Sequence, residues 1–364
     1  MSKFYSKLAL KAFPYTPGEQ PADRKYIKLN SNENPYPPSP SVGIAIQEEI
    51  HKLNLYSDPE ATVLVKALAD YHDVKEDNVF AGNGSDEVLA FAFAAFFAGK
   101  AILCPDITYN FYFTFAKYFE SEFIEVPLLD DLSVNPADYN WERYKKLHPR
   151  SQFGGIVLPN PNAPSGIYMQ LSDIEKIVQA NPDGVVLIDE AYIDFGEESA
   201  ASLIDQYDNL LIVQTFSKSR SLAGLRIGFA IGNAELIKGM KRIKDSYNSF
   251  TVDRLAMYGA VAALKDEDYF VEMKNRITAT RETVTKKLQN AGFTLTNSKG
   301  SFIFMTHKDI PATYLYEQLK KEGVLVRHYK QPRINNYLRV SIGSEEEMNI
   351  FCDIIDKLIT ETKV

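Results

Sequence analysis

The feature that most constrains the fold is a series of short apolar runs that alternate with helical patterns along the middle of the chain. Runs that are nearly continuous in Val, Ile and Leu form strands buried on both faces, as in a parallel sheet covered by helices. Their alternation with helices predicts a doubly wound α/β domain. The predicted strands are Ala101–Cys104, Gly155–Leu158, Val185–Ile188, Leu210–Val213 and Arg226–Ile231.

The sequence changes character on both sides of this α/β region. Residues 1–40 are rich in Pro and Asn, which predicts an extended arm without helix or strand. From about residue 265, a long charged helix is followed by short strands and two further helices, which is an α+β pattern. We therefore predict an arm over residues 1–40 that contributes to the small domain and the active site, a large ligand-binding domain over 41–264 and a small domain over 265–364.

Charge and composition narrow the kinds of partner. The formal net charge of −8 argues against a broad surface for nucleic acid or an anionic membrane, so local arginines must hold any anionic ligand. The spacing of the two cysteines and five histidines predicts no metal site or disulfide. The N-terminus lacks a charged stretch followed by an apolar signal core, and the apolar run Phe91–Ala98 is too short to span a bilayer. We expect a cytoplasmic enzyme.

The segment Thr215–Arg226 places one lysine, Lys218, just beyond a predicted strand. Hydroxyl groups such as that of Ser217 form, together with Arg226, a site for an anion. A lysine beside a phosphate site can form a Schiff base with a phosphorylated aldehyde, and pyridoxal phosphate is the obvious candidate. The alternative is a surface lysine in a serine-rich loop, which is the commoner role of lysine.

Asp189 ends the predicted strand Val185–Ile188. A carboxylate at the C-terminal end of a buried parallel strand lies where α/β sheets bind ligands. A metal-binding strand of an ATPase would also end in this way, but it requires a Gly-x-x-x-x-Gly-Lys-Ser/Thr loop that the chain lacks. Opposite a pyridine ring, the charge of Asp189 would keep the ring nitrogen protonated and make the ring an electron sink.

The motif Gly82–Glu87 follows a predicted strand and opens a helix. Its glycines allow a tight turn, and the amides of Ser85 and Asp86 at the helix N-terminus form a natural phosphate cradle. A helix cap without a ligand remains the alternative. Tyr109 follows another strand end and could stack on a planar ring, although a core tyrosine is the commoner role.

The order of these pieces is more specific than any one of them: phosphate loop, aromatic residue, Asn-Pro turn, Asp-x-x-Tyr, Ser-Lys and Arg. In this order the chain resembles the fold-type I aminotransferases, and within them the group that acts on histidinol phosphate. The resemblance covers essentially the whole chain from Tyr15 onward. The segments that carry it most specifically are Leu29–Pro35, Leu55–Pro59, Gly82–Glu87, Leu187–Tyr192, Thr215–Arg226 and Tyr337–Val340.

The resemblance implies pyridoxal phosphate as the cofactor and a mostly parallel sheet covered by helices in a large domain, beside a smaller α+β domain. Lys218, Asp189 and Tyr192 are the implied catalytic residues, with Lys218 on the cofactor aldehyde, Asp189 on the ring nitrogen and Tyr192 on the phenolate oxygen. The other implied cofactor contacts are Tyr109 on the ring and Ser85, Asp86, Ser217 and Arg226 on the phosphate.

Two further positions bear on the cofactor site. Tyr56 matches a tyrosine that the family supplies from the neighbouring subunit, which implies an obligate homodimer with shared sites. The family usually has a second asparagine in its Asn-Pro turn where this chain has Ala163. Either Asn162 reaches the phenolate oxygen from one position earlier, or Tyr192 makes that hydrogen bond alone.

On the substrate side, Arg339 matches the arginine that clamps a carboxylate, a task that suits the guanidinium fork. A surface salt bridge is the alternative for a strand arginine. Arg327 is the second candidate, and Tyr15 and Asn34 in the arm are expected to close over the substrate. The implied partners are a phosphorylated amine and a 2-oxo acid: L-histidinol phosphate and 2-oxoglutarate would give imidazole acetol phosphate and glutamate, a step of histidine biosynthesis.

Three other functions remain open at this point. An aromatic-amino-acid aminotransferase would use the same arginine for a carboxylate, and a threonine-phosphate decarboxylase would share the cofactor core but release carbon dioxide. A regulator that binds the cofactor without catalysis would carry an added DNA-binding domain, and the sequence has no basic helical module before residue 40 or after residue 340.

Overall fold

The computed structural model describes residues 3–362, so the first two residues of the predicted arm and the last two of the predicted small domain lie outside it. The strands are β1 (Ile27–Lys28), β2 (Val79–Gly82), β3 (Ala101–Pro105), β4 (Glu122–Val126), β5 (Phe153–Pro159), β6 (Val185–Asp189), β7 (Leu210–Thr215), β8 (Gly228–Gly232), β9 (Phe293–Leu295), β10 (Phe302–His307), β11 (Val324–Leu325), β12 (Arg327–His328) and β13 (Leu338–Ser341).

The α-helices are α1 (Lys7–Lys11), α2 (Pro40–Glu49), α3 (Thr62–His72), α4 (Ser85–Ala92), α5 (Phe111–Tyr118), α6 (Trp141–Tyr144), α7 (Leu171–Gln179), α8 (Ala234–Tyr247), α9 (Arg254–Lys265), α10 (Glu267–Asn290), α11 (Ala312–Lys321) and α12 (Glu345–Thr362). A π-helical turn, Phe93–Phe97, continues α4, and the short 3-10 helices are Ile50–Lys52, Glu76–Asn78, Pro136–Asp138, Ile193–Phe195 and Ala200–Leu203. None of the described helices is long and apolar enough to cross a membrane.

The largest sheet has seven strands in the order β2-β8-β7-β6-β5-β3-β4. Its interior strands are buried except for the first residues of β5 and β6, as the runs of Val, Ile and Leu predict. Only β8 is antiparallel to its neighbours in this sheet, so the prediction of a mostly parallel sheet holds. Separate apolar clusters cover its two faces, one of which includes α3, α7 and α9 and the other α4 and α5.

The C-terminal part forms a second, antiparallel sheet in the order β12-β13-β10-β9. Its core is supplied largely by α10, α11 and α12. Along α10, Phe270, Met273, Ile277, Val284 and Leu288 recur at helical spacing and are buried, while Asp266 caps the first turn by accepting from the amide of Tyr269. The predicted α+β texture is therefore present, and the exact domain boundary after residue 264 stays a prediction.

Two predictions of local structure are wrong. The arm contains both a helix and a strand: Ser6 caps α1, and β1 pairs with β11 of the C-terminal part in parallel. The prediction from composition failed for β1 because its partner strand, β11, lies almost 300 residues away in the sequence. The last strand of the large sheet begins at Gly228, because Arg226 has a left-handed backbone with a φ of +56° and belongs to the preceding turn.

Candidate active site

A cavity of about 390 Å³ lies at the C-terminal edge of the large sheet, where β5, β6 and β7 end side by side. This edge is where open α/β sheets bind ligands. Eleven of the fourteen predicted site residues line the cavity: Tyr15, Ser85, Asp86, Tyr109, Asp189, Tyr192, Ser217, Lys218, Arg226, Arg327 and Arg339. Tyr56, Asn34 and Asn162 do not.

Asp189 is the last residue of β6, lines the cavity and is only 5% exposed. Its Oδ2 accepts a hydrogen bond of 2.7 Å from the Tyr112 hydroxyl, and its Oδ1 accepts one of 3.1 Å from the amide of Ala191. Burial raises the pKa of Asp189 to about 6, against the opposing effect of these two donors. A cationic group placed beside this carboxylate would therefore be held firmly.

Lys218 follows β7, and its Nζ lies 5.7 Å from the centre of the Tyr192 ring. The loop that carries it is anchored from the arm, because Asn34 Nδ2 donates to the carbonyl oxygens of Lys218 (2.8 Å) and Ser219 (3.3 Å). The Ser219 hydroxyl also donates to Asp194. Asn34 thus holds the lysine loop from behind, and its predicted closure over a substrate stays a prediction.

The loop between β2 and α4 brings backbone amides to the cavity. The first turn of a helix leaves N–H groups without a helical partner, and here these include the amides of Ser85 and Asp86. Gly84, with a φ of +83°, lets Arg226 approach, since a Cβ on it would lie 2.5 Å from Arg226 Nη2. A Cβ on Gly228 would clash with the Ser85 amide nitrogen. Because Gly84 and Gly228 have no Cβ, Arg226 can lie close to the free amides at the start of α4.

The side chain of Asp86 is an acceptor that orders this region. Its Oδ1 accepts from the Tyr109 hydroxyl at 3.0 Å, and its Oδ2 lies 3.4 Å from Arg226 Nη2. Burial, with the nearby charge of Asp86, raises the pKa of Tyr109 well above its usual value, so this hydroxyl stays protonated. An anion bound here would contact the Asp86 amide, while the carboxylate orients Tyr109 and Arg226.

Two arginines stand side by side on the opposite wall. Arg327 on β12 and Arg339 on β13 are paired in register. Arg327 donates to the carbonyl oxygens of Thr16 and Pro17 at 3.4 Å, and Arg339 Nη2 donates to that of Asn30 at 2.9 Å. Within residues 3–362, neither guanidinium forms an ion pair with a carboxylate, and the buried Nε of Arg339 has no hydrogen-bond partner. The wall is therefore suited to an anionic group.

The comparison with known proteins decides the family. A sequence model of the aminotransferases of class I and II matches residues 24–355 of the chain. The chain belongs to this family. Among its curated relatives, histidinol-phosphate aminotransferase of Clostridium acetobutylicum is 51% identical over 361 residues, which cover 99% of this chain and 100% of that protein. The corresponding protein of Brachyspira hyodysenteriae is 49% identical and covers 99% of each chain.

The fold agrees with this family. The crystal structure of histidinol-phosphate aminotransferase from Sinorhizobium meliloti in complex with pyridoxal-5′-phosphate matches with a TM-score of 0.87 and covers 100% of this chain and 99% of that one, at 22% identity. That likeness shows the fold alone. The predictions of an enzyme, of an aminotransferase and of the fold-type I architecture are confirmed.

The cavity of this aminotransferase fits a phosphorylated pyridine. Free helix amides and Arg226 suit a phosphate, a buried carboxylate suits a protonated ring nitrogen, and Tyr109 offers an aromatic face. Thr108 also lines the cavity with a buried hydroxyl that has no partner. Among the described residues, no group of three His, Cys, Asp or Glu side chains could hold a metal ion.

Asn162 does not face the cavity. Its Nδ2 donates to the carbonyl oxygen of Ile107 at 3.1 Å and to Ser165 Oγ at 3.2 Å, while Ala163 lines the cavity instead. The alternative in which Asn162 reaches the cofactor therefore has no support from its contacts. Of the two possibilities that the sequence left open, these contacts favour Tyr192 acting alone.

Two site residues were missed by sequence reasoning. Tyr112 donates to Asp189, and Asn32 Nδ2 donates to the Tyr192 hydroxyl at 2.8 Å. Asn32 lies within the family-specific segment Leu29–Pro35, which was the available signal. Tyr112 lies three residues after Tyr109, and nothing else in the sequence indicated that it belongs to the site.

Proposed function

We propose that this aminotransferase binds pyridoxal phosphate and transfers the amino group of L-histidinol phosphate to 2-oxoglutarate, giving imidazole acetol phosphate and glutamate. The observation that carries the proposal is the pair of guanidiniums without carboxylate partners, facing a cavity that also contains Lys218 and Asp189. Relatives about half identical over their full length bear the name of this activity. In the cell, we place the reaction in histidine biosynthesis in the cytoplasm.

When bound, pyridoxal phosphate supplies an aldehyde that binds amines and a ring that accepts electrons. Lys218 Nζ would move a proton between the substrate Cα and the C4′ atom of the cofactor. The Asp189 carboxylate would keep a proton on the ring nitrogen, and the Tyr192 hydroxyl would donate to the phenolate oxygen. Tyr109 would pack against the ring, and the phosphate would be held by Ser85, Asp86, Ser217 and Arg226.

Arg327 and Arg339 serve both halves of the reaction. Each half brings a different anion to the same wall, namely the phosphate of histidinol phosphate and then the carboxylates of 2-oxoglutarate. The two guanidiniums carry ten N–H donors, three of which bond carbonyl oxygens of the arm, and the others can pair with either geometry. Tyr15 packs edge to face with Tyr109, with ring centres 6.1 Å apart, and covers the cavity from the arm.

Arg339→Lys tests this wall. We expect the KM for both L-histidinol phosphate and 2-oxoglutarate to rise by about 10- to 100-fold, with a smaller change in kcat, because a lysine cannot replace the bidentate fork. Steady-state kinetics measure both constants. Arg143→Lys, an arginine on the surface that pairs with Asp138, is the matched control. Unchanged KM values for both substrates would remove Arg339 from the substrate site.

The substrate assignment is tested by comparing kcat/KM for L-histidinol phosphate and L-phenylalanine, each with 2-oxoglutarate. We expect a preference of about 100-fold or more for histidinol phosphate, because its phosphate carries more charge and one more acceptor oxygen than the single carboxylate of phenylalanine and can pair with both guanidiniums. A preference for phenylalanine would instead indicate an aromatic aminotransferase. Release of carbon dioxide from threonine phosphate would indicate a decarboxylase.

We also propose that the enzyme is a homodimer in which Tyr56 completes the partner's site. Tyr56 is 82% exposed and stacks on Phe250, with ring centres 4.8 Å apart, outside the cavity of its own chain. Leu53 and Leu55 are exposed beside it. Exposed apolar side chains clustered in this way are typical of an interface between proteins.

Mixed dimers test the sharing of sites. Unfolding and refolding Tyr56→Ala and Lys218→Ala together yields heterodimers with one intact site if Tyr56 acts across the interface. The mixture should then regain about a quarter of wild-type activity, as random pairing of two subunits predicts. Each variant refolded alone is the control. If the mixture shows only the average activity of the two variants, Tyr56 does not complete a partner's site.

A further inference from the structure

We propose that Asn32 is a positioning residue that directs the hydroxyl proton of Tyr192 into the cavity, as the middle member of a hydrogen-bonded chain that begins at Ser341. This inference rests on the proposed function, because it concerns how Tyr192 presents its proton to the phenolate oxygen of the cofactor. Asn32 also lines the cavity, and the role proposed for it is to act through Tyr192.

Asn32 is anchored through both its backbone and its side chain. It is 1% exposed and has a φ of +52°, a left-handed conformation that asparagine tolerates better than most residues. Its backbone N–H donates to Ser341 Oγ at 2.8 Å, and the Ser341 hydroxyl donates back to Asn32 Oδ1 at 2.8 Å. Backbone and side chain of Asn32 are thus both fixed to one buried hydroxyl.

Ser341 sets the orientation of the Asn32 side-chain amide. Ser341 is also 1% exposed, so its hydroxyl proton needs an acceptor within the protein, and Asn32 Oδ1 is that acceptor. With Oδ1 facing Ser341, the NH₂ group must face Tyr192, whose hydroxyl oxygen lies 2.8 Å from Nδ2. Reversing the amide would leave the Ser341 proton unpaired, which is costly at a buried site.

The Asn32 amide in turn orients the hydroxyl proton of Tyr192. A tyrosine hydroxyl has one proton to donate, and here its oxygen already accepts from Asn32. The proton is therefore directed away from Asn32, and Tyr192 lines the cavity. Its ring is held edge to face against the buried Phe302, with ring centres 5.0 Å apart. Ala163, which also lines the cavity, offers no donor that could replace Tyr192.

Further hydrogen bonds attach the segment around Asn32 to β13. The Ser341 amide donates to the Leu29 carbonyl at 2.9 Å, and Arg339, two residues earlier on β13, donates to the Asn30 carbonyl. The arm segment that carries Asn32 is therefore fixed to β13 at several points before it reaches Tyr192. A donor that is fixed before the ligand arrives requires little reorganisation when it binds.

The test uses the absorption of the lysine-bound cofactor as a function of pH, which reports on a proton and not on turnover. A hydrogen bond to the phenolate oxygen draws charge from it and makes the adjacent nitrogen of Lys218 less basic. Asn32→Ala should therefore raise the pH midpoint of the absorption change by about one unit and weaken pyridoxal phosphate binding by about tenfold, the worth of one hydrogen bond to a charged group. Ser341→Ala should shift the midpoint in the same direction.

A double-mutant comparison makes the result specific to Tyr192. If Asn32 acts through Tyr192, then Asn32→Ala added to Tyr192→Phe should shift the midpoint no further than Tyr192→Phe alone. Asn32→Asp keeps a residue that tolerates the left-handed backbone but replaces the donor with an acceptor. It should turn the Tyr192 proton away from the cavity and raise the midpoint at least as far as alanine does.

Asn181→Ala is the matched control, because Asn181 is equally buried and its amide bonds the carbonyl oxygens of Tyr139 and Ile177 far from the cavity. It should leave the midpoint unchanged. The inference is overturned if Asn32→Ala and Asn32→Asp both keep the wild-type midpoint, or if the shift persists in full without the Tyr192 hydroxyl. A wild-type protein that fails to bind pyridoxal phosphate would overturn the proposed function instead.

Discussion

Lys218→Ala will lower kcat by at least about 10⁴-fold, because the proton between substrate Cα and cofactor C4′ then has no base to carry it. The variant should still bind pyridoxal phosphate, since Asp189 and the amides of the α4 N-terminus are untouched. Stopped-flow mixing of the loaded variant with L-histidinol phosphate measures the proton-transfer step, and equilibrium dialysis measures retention of the cofactor.

Two controls accompany this variant. Lys176→Ala removes a surface lysine that pairs with Asp173 and should leave the rate unchanged. A small primary amine added to Lys218→Ala should restore part of the rate, because it can enter the space left by the side chain and act as the base. Wild-type turnover by Lys218→Ala would exclude this lysine from the reaction.

Asp189→Asn should have two effects of opposite sign. Turnover should fall by about 10³-fold, because a neutral amide cannot keep the ring nitrogen protonated in the transition state. Relative to wild type, the cofactor-free variant should gain stability between pH 5 and pH 8, because burial raises the pKa of Asp189 to about 6 from the ordinary value of 3.8. Ionisation of Asp189 therefore costs more in the native state than in the unfolded chain, and the variant lacks this pH-dependent cost.

The sign of this stability effect follows from proton linkage. Between pH 4 and pH 6 the native protein binds more protons at Asp189 than the unfolded chain does, so the stability contributed by this group falls as the pH rises through that window. At pH 8 the cost is on the order of 3 kcal/mol at most, and Asn at this position avoids it. Asn has only one acceptor oxygen, so one of the two donors, Tyr112 or the amide of Ala191, loses its partner at every pH.

Denaturant unfolding of wild type and Asp189→Asn at pH 5 and pH 8 measures the difference. The free energy of unfolding of the variant minus that of wild type should be larger at pH 8 than at pH 5. Glu190, whose pKa burial raises to about 7, is present in both proteins and cancels in the comparison. The same difference at both pH values, with unchanged turnover, would contradict this account of Asp189.

The parts of the site that could be predicted from sequence are those whose signal is local. Asp189 and Lys218 each follow an apolar run, and the end of a buried parallel strand fixes where the next side chain lies. The amides of Ser85 and Asp86 were predictable because a glycine-rich turn before a helix gives the same backbone arrangement in many proteins.

The parts that could not be predicted depend on partners far apart in the chain. Asn32 meets Tyr192 across 160 residues and Ser341 across 309, and no pattern in either neighbourhood indicates the pairing. Asn162 and Ala163 are adjacent, and only the turn geometry decides which of them faces the cavity. The apolar residues after Arg226 led to the prediction that it begins a strand, but its left-handed backbone places it in the preceding turn.

The central claim is that Lys218 binds a pyridoxal cofactor that exchanges an amino group with L-histidinol phosphate. Its most direct test is the absorption spectrum of the pyridoxal-phosphate-loaded protein before and after addition of L-histidinol phosphate, and again after 2-oxoglutarate. The account predicts a yellow band that histidinol phosphate removes and 2-oxoglutarate restores. A band that histidinol phosphate leaves unchanged, or no band in the presence of excess pyridoxal phosphate, would contradict it.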